Sequence, residues 1–163
     1  MEVFFTPLSP EHRVPVMDIF NDYVENSFAA FPETRLPYEF FNTLLHLSQG
    51  YPSAAASDAT GQIIGFGMLR PYSPFPVFSK TAELTCFLKN GFTRQGIGKT
   101  LLDHLLTKGA EKGIAHALAA ISSLNQASIN FHLKNGFTEC GRFKSVGCKK
   151  GLSFDVVYCQ RML

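Results

Sequence analysis

Phe92-Thr93-Arg94-Gln95-Gly96-Ile97-Gly98-Lys99-Thr100-Leu101-Leu102 joins a strand-like run, residues 80–88, to an amphipathic one. Downstream of the glycines, Ile97, Leu101, Leu102, Leu105 and Leu106 recur at helical spacing, which predicts a helix over 97–112 that Gly113 stops. Glycines at such a junction let backbone N–H groups approach a ligand closely. The first turn of a helix carries unpaired donors and partial positive charge. Together these make an anion site that suits a pyrophosphate, and Arg94 and Lys99 would add charge. The segment is neither a P-loop, because one residue separates Gly96 from Gly98, nor a dinucleotide fingerprint, because Leu101 stands where a third glycine is needed. A plain tight turn opening a basic helix is the other use of the same residues.

Outward from this junction, strands are expected at 3–8, 52–57, 62–70, 80–88, 114–121, 137–143 and 153–161. Helices are expected at 10–25 (opened by Ser9 and Pro10), 38–48, 97–112 and 126–135. The segments 26–37 and 71–76 are proline-broken loops, and Asp58-Ala59-Thr60-Gly61 forms a turn. Strands first pair as hairpins and then alternate with helices, so the fold class is α/β with a mixed sheet in one domain, residues 1–163.

Asn125-Gln126-Ala127-Ser128-Ile129-Asn130-Phe131-His132-Leu133-Lys134-Asn135-Gly136-Phe137 is the second informative stretch. On a helix, Asn125, Ser128, His132 and Asn135 share one polar face, while Ile129 and Leu133 are expected to pack inward. Such a face either flanks a ligand or is simply solvated, with Asn125 as the cap.

Composition narrows the class. The 163 residues carry a formal net charge of +2, with 45% hydrophobic and 17% charged residues, which is a globular profile. No basic run gives a nucleic-acid footprint. No apolar stretch approaches the roughly 20 residues that span a membrane. The four cysteines, Cys86, Cys140, Cys148 and Cys159, form no CxxC pair, so no metal site is expected. No signal peptide is read at the start, and a reduced, cytoplasmic protein follows.

RQGIGKTLL followed by NQASINFHLKNGF resembles the GNAT superfamily of acyl-CoA N-acyltransferases. The superfamily's loop runs Arg/Gln-x-x-Gly-x-Gly/Ala, here Thr93 through Gly98, with Thr at the first position. IFNDYVENSFAAF, GFGMLRPYSPFPVFSKTAELTCFL and VGCKKGLSFDVV extend the resemblance over nearly the whole chain to the phosphinothricin acetyltransferase-like branch. The resemblance implies a mostly antiparallel sheet with splayed central strands and acetyl-CoA as cosubstrate. It implies a small-molecule amine as acceptor, direct transfer without an acetyl-enzyme, and a homodimer. The cofactor contacts it implies are Phe87, Leu88, Arg94, Gln95, Gly96, Ile97, Gly98, Lys99, Thr100, Asn125 and Ser128, with backbone N–H near 87–88 meeting the oxyanion. Glu83 matches the branch's base, and His132 stands where an acid is found.

Ser73, Phe75, Phe78 and Ser153 depart from the branch's basic or aromatic residues, so the acceptor pocket is expected to be apolar and lined by Phe28, Phe31, Phe75 and Phe78. These departures, with Thr93, leave a non-catalytic acyl-CoA-binding module as the alternative to the enzyme.

Overall fold

In the computed structural model, which describes residues 1–163, β1 (Phe4–Thr6), β2 (Ser53–Ser57), β3 (Ile63–Pro71) and β4 (Thr81–Leu88) pair antiparallel in chain order. Chain proximity makes this meander: β2 and β3 are joined by the expected turn, where Asp58 Oδ1 accepts the N–H groups of Thr60 and Gln62 at 2.9 and 3.1 Å. β5 (His116–Ser122) then adds parallel to β4, and β6 (Thr138–Lys149) and β7 (Leu152–Met162) complete the sheet in the order β1-β2-β3-β4-β5-β7-β6.

Helices α1 (Arg13–Asn26) and α2 (Phe41–Leu47) cover one sheet face, and α3 (Ile97–Glu111) and α4 (Gln126–Lys134) belong to the other. Leu101, Leu102, Leu105 and Leu106 of α3 lie in one core with Ala82, Leu84 and Leu88 of β4 and Ala117, Ala119 and Ile121 of β5. Burying each leucine contributes about 1.5–3 kcal/mol, so the start of α3 is firmly held against β4. Val16, Met17, Phe41, Phe66 and Met68 form the smaller core on the opposite face.

Three local expectations change. Residues 10–12 are a separate 3₁₀ turn, so α1 begins at Arg13. Residues 38–40 are likewise 3₁₀, and α2 begins at Phe41. The last two strands form a far longer hairpin than 137–143 and 153–161, closed by Lys150 and Gly151 at φ +51° and +74°. Residues 144–152, which include Gly147, lie outside the two expected strands. The strand absorbs its irregularity in two register shifts, Glu139/Gly141 and Phe143/Gly147, and Asp155 Oδ1 accepts the Ser145 N–H at 2.8 Å inside the second.

Candidate active site

β4 and β5 pair only over Thr81–His116, Ala82–Ala117 and Glu83–Leu118, although β4 continues to Leu88 and β5 to Ser122. Beyond Glu83 the two strands part, opening the sheet at its centre. Lys89 N–H donates to Ile64 O at 2.8 Å, and Phe87 partners Phe66. Every second residue of an antiparallel strand turns its N–H to the partner. Thr85, Phe87 and Lys89 therefore face β3, while Cys86 and Leu88 present their amides to the gap. The free N–H groups expected at 87–88 are corrected accordingly: Leu88 supplies one, but Phe87 does not. The Phe87 ring instead packs against Phe20, Tyr23 and Phe66.

The glycine loop stands at the mouth of this gap. Gly96 is the N-cap of α3 at φ +83°, a left-handed conformation that a side chain would strain, and Arg94 adopts φ +61° despite having one. This backbone turns the amides leading into the helix toward one side. The N–H groups of Ile97, Gly98 and Lys99 have no partner a turn earlier. A Cβ at Gly98 would lie 3.5 Å from Phe131 Cε2 and 3.6 Å from Leu88 Cδ1, so the helix start, α4 and the end of β4 converge there.

Several side chains of this loop serve the loop itself. Gln95 Nε2 donates back to Gly91 O at 2.9 Å. Thr100 Oγ1 donates to Gly96 O at 3.2 Å, and Lys99 is paired with Asp103 along α3. Thr100 also borders a shallow groove with Phe5, Asp103 and His104, on the side of α3 away from Gly98. Lys99 thus offers the gap its backbone N–H rather than its side chain, while the Thr100 N–H already donates to Gly96 O at 3.1 Å and the exposed Arg94 stays available.

Glu83 lies on the last rung before the strands part. Ala82, Leu84 and Leu88 pack toward α3, so alternation puts Glu83, Thr85 and Phe87 on the α1 side. Arg70 of β3 is its cross-strand partner, and Arg70 Nη2 forms an ion pair with Glu83 Oε2 at 2.7 Å. Tyr158 of β7 shares this face, because Val157 and Cys159 pack into the α3-side core. Burial raises the Tyr158 phenol above its usual range, with the charges of Glu83 and Tyr72 adding and Arg70 opposing. It remains a neutral phenol near Glu83. The sequence reading missed Arg70 and Tyr158; strand parity could have put both on the right face, but only the register brings Arg70 opposite Glu83.

On α4, Asn125 Oδ1 accepts the Ser128 N–H at 3.3 Å, as the cap reading expects. The inward stripe differs from expectation: Ile129 and His132 are buried, and Leu133 is 43% exposed. His132 meets the edge of the buried Phe137, with ring centroids 5.0 Å apart. His132 Nδ1 lies 2.7 Å from Ser128 O, and since a carbonyl can only accept, the proton is on Nδ1. Burial lowers the imidazole pKa, and that hydrogen bond only partly offsets it. In this neutral form Nε2 carries a lone pair. The ring is therefore set to accept a proton or hydrogen bond at Nε2.

The four phenylalanines expected around the acceptor fall in two groups. Phe28 and Phe31 belong to the loop after α1, where Phe31 stacks on Phe154 of β7 with ring centroids 5.9 Å apart and planes within 3°. Phe75 and Phe78 belong to the loop after β3; Phe78 meets Tyr72 edge-on at 5.4 Å, and Phe75 is 67% exposed. No aromatic pair joins the two groups. On the α1 face, Phe31 stands beside β7 on one flank and Tyr72–Phe78 follow β3 on the other, with Arg70, Glu83 and Tyr158 between.

The Acetyltransferase (GNAT) family model matches residues 16–137. The chain is 33% identical over 149 residues to the L-methionine sulfoximine/L-methionine sulfone acetyltransferase of Pseudomonas aeruginosa, covering 89% of this chain and 86% of that protein. It is 32% identical to the phosphinothricin N-acetyltransferase of Streptomyces coelicolor, over 99% and 97% of the two chains. In structure it is similar to a GNAT superfamily phosphinothricin acetyltransferase from Sinorhizobium meliloti solved in complex with acetyl-CoA, with a TM-score of 0.94 and 25% identity, covering 100% of this chain and 89% of that one.

Proposed function

The chain belongs to the acetyltransferase (GNAT) family and uses acetyl-CoA to acetylate the amine of a small molecule, and we propose that the transfer is direct, with Glu83 as base and an amino acid or amino-acid analogue as acceptor. The observation that carries this reading is the position of Glu83, on the last paired rung of β4 where the central strands part.

The residues at the gap fit the cosubstrate. Backbone donors at Ile97, Gly98 and Lys99, with the exposed Arg94, suit a diphosphate. The amides of Cys86 and Leu88 suit the amide groups of an extended arm and the carbonyl oxygen where charge develops. When bound, acetyl-CoA supplies an acyl thioester that an amine can attack.

An ammonium group cannot attack, so a proton must leave it first. Glu83 takes that proton, and Arg70 holds the carboxylate in place. His132 Nε2 offers a second acceptor on the α4 side. Direct transfer fits Cys86, the thiol on β4: burial pushes its pKa up to about 12, which disfavours the thiolate a covalent route would need.

We further infer a single catalytic domain over residues 1–163 that works as a homodimer in the cytosol. The sheet-edge strand β6 exposes Phe143 and Val146, and β7 exposes Leu152 beside it, an apolar edge suited to pairing. All four cysteines are free thiols, as in a reducing compartment. No helix is long and apolar enough to cross a membrane.

An amine panel with acetyl-CoA tests the reading: thiol release above background for amino-acid-type acceptors is expected. Tight coenzyme binding with no release on any amine would favour the non-catalytic module.

A further inference from the structure

We propose that Tyr158 of β7 gives the sulfur of coenzyme A its proton as the acyl–sulfur bond breaks, and that Glu83 refills the phenol with the proton it took from the amine. This rests on the enzyme reading above and on three observations.

The first is reach. Tyr158 pairs with Ala120 of β5, two residues past Leu118, the last β5 residue that pairs with β4. It therefore stands beside the stretch where the central strands have parted, on the same sheet face as Glu83. Ala120 lies between Tyr158 and the gap, and its single methyl leaves room for the phenol to lean toward β4. The charges of Glu83 and Arg70, one and two strands beyond β5, both act on the phenol, with Tyr72 the third group to do so. Phe143 of β6 backs the ring edge-on, with centroids 5.7 Å apart.

The second is a proton that is free to leave. On this face Arg70 bonds Glu83 and reaches Thr85, and Gln160 meets His116; the Tyr158 hydroxyl enters none of these contacts. Arg70 cannot be deprotonated, and Glu83 is the base. His132 holds its proton on Nδ1 against Ser128 O and leaves Nε2 bare. Tyr158 is the neutral hydroxyl beside the opening.

The third is driving force. An ordinary phenol, at about 10, yields its proton to a thiolate unwillingly, because a thiol ionises at about 8.5. A carboxylic acid, at about 4.3, protonates a phenolate readily. Tyr158 beside Glu83 couples the two transfers, and the sum runs downhill. Glu83 takes the first proton from the ammonium. The nitrogen–carbon bond forms, and the carbon–sulfur pair of electrons leaves with sulfur. The Tyr158 O–H breaks as S–H forms, and Glu83 returns its proton to the phenolate. The second nitrogen proton goes to water, so Glu83 and Tyr158 end as they began.

Tyr158→Phe removes only the hydroxyl. Its kcat should fall by about 10²-fold or more, with acetyl-CoA affinity by calorimetry within about twofold. The alkaline limb of the wild-type kcat profile, where the phenol ionises, should disappear in the variant; a ring that only packs would leave it. Coenzyme A labelled with ¹³C beside its sulfur gives a readout without turnover: by NMR the bound thiol should ionise at lower pH in wild type than in Tyr158→Phe. Unchanged kcat and alkaline limb, or identical thiol titrations, overturn the proposal. A loss of the alkaline limb in His132→Gln but not in Tyr158→Phe assigns the proton to α4 and overturns it equally. Acetylation of no amine by wild type, with acetyl-CoA still bound, overturns the enzyme reading and this proposal with it.

Discussion

Tyr23 of α1 donates from Oη to the carbonyl of Leu88, the last residue of β4, at 2.7 Å. Burial raises the phenol's pKa, so it remains a donor at neutral pH. The bond ties α1 to the strand end where the glycine loop begins. Tyr23→Phe is expected to cost about 0.5–1.5 kcal/mol of stability. It should also raise KM for acetyl-CoA severalfold, with a smaller change for the amine. Steady-state kinetics beside a denaturant melt check this; an unchanged acetyl-CoA KM would separate α1 from the cosubstrate site.

Glu83→Gln keeps the shape of the side chain and removes its capacity to hold a proton. Turnover should fall by about 10²–10⁴-fold, the usual contribution of a positioned base, while acetyl-CoA affinity by calorimetry stays within about twofold. Unchanged turnover would assign proton removal to another group.

The glycine loop and α3 were legible because their signals are local: two glycines, and an apolar stripe that becomes a buried face. The splay was reachable only through the family resemblance, since the gap depends on which strands pair and for how many rungs. Arg70 was invisible for a related reason: its meeting with Glu83 follows from the β3–β4 register, which no single segment encodes. Leu133 and His132 exchanged their expected places because the carbonyl of Ser128 satisfies the imidazole inside the packing, where it meets Phe137. The hairpin beyond residue 143 was missed because β6 continues past a register shift between Phe143 and Gly147, which only the pairing with β7 reveals.

His132 carries a pH signature. Its folded pKa lies below the free value of about 6.5, chiefly through burial. Between those two values the unfolded chain takes up a proton that the folded chain declines. The contribution to stability is therefore fully present above about pH 6.5 and is lost as pH falls through the folded value. In His132→Gln the loss of stability on going from pH 7 toward pH 5 should be shallower than in wild type. Parallel pH–stability curves would contradict the buried neutral imidazole.

Lys149 is 2% exposed, and its Nζ donates to Ser27 O at 2.8 Å and Ala30 O at 2.7 Å, pinning the loop that carries Phe28 and Phe31 to the β6–β7 hairpin. Lys149→Met fills similar space but leaves both carbonyls without that donor. A loss of about 2–5 kcal/mol is expected, with KM for the amine raised more than KM for acetyl-CoA. A stable variant with unaltered amine KM would mean the loop is held without Lys149.

The central claim is that the start of α3 and the parted strands form one continuous cosubstrate site ending at Glu83. A crystal structure of the protein with coenzyme A measures this directly. The account predicts diphosphate oxygens within hydrogen-bonding distance of the amides between Ile97 and Lys99, and the thiol lying between β4 and β5 near Glu83. A diphosphate bound elsewhere, or a thiol pointing away from the opening between those strands, would contradict it.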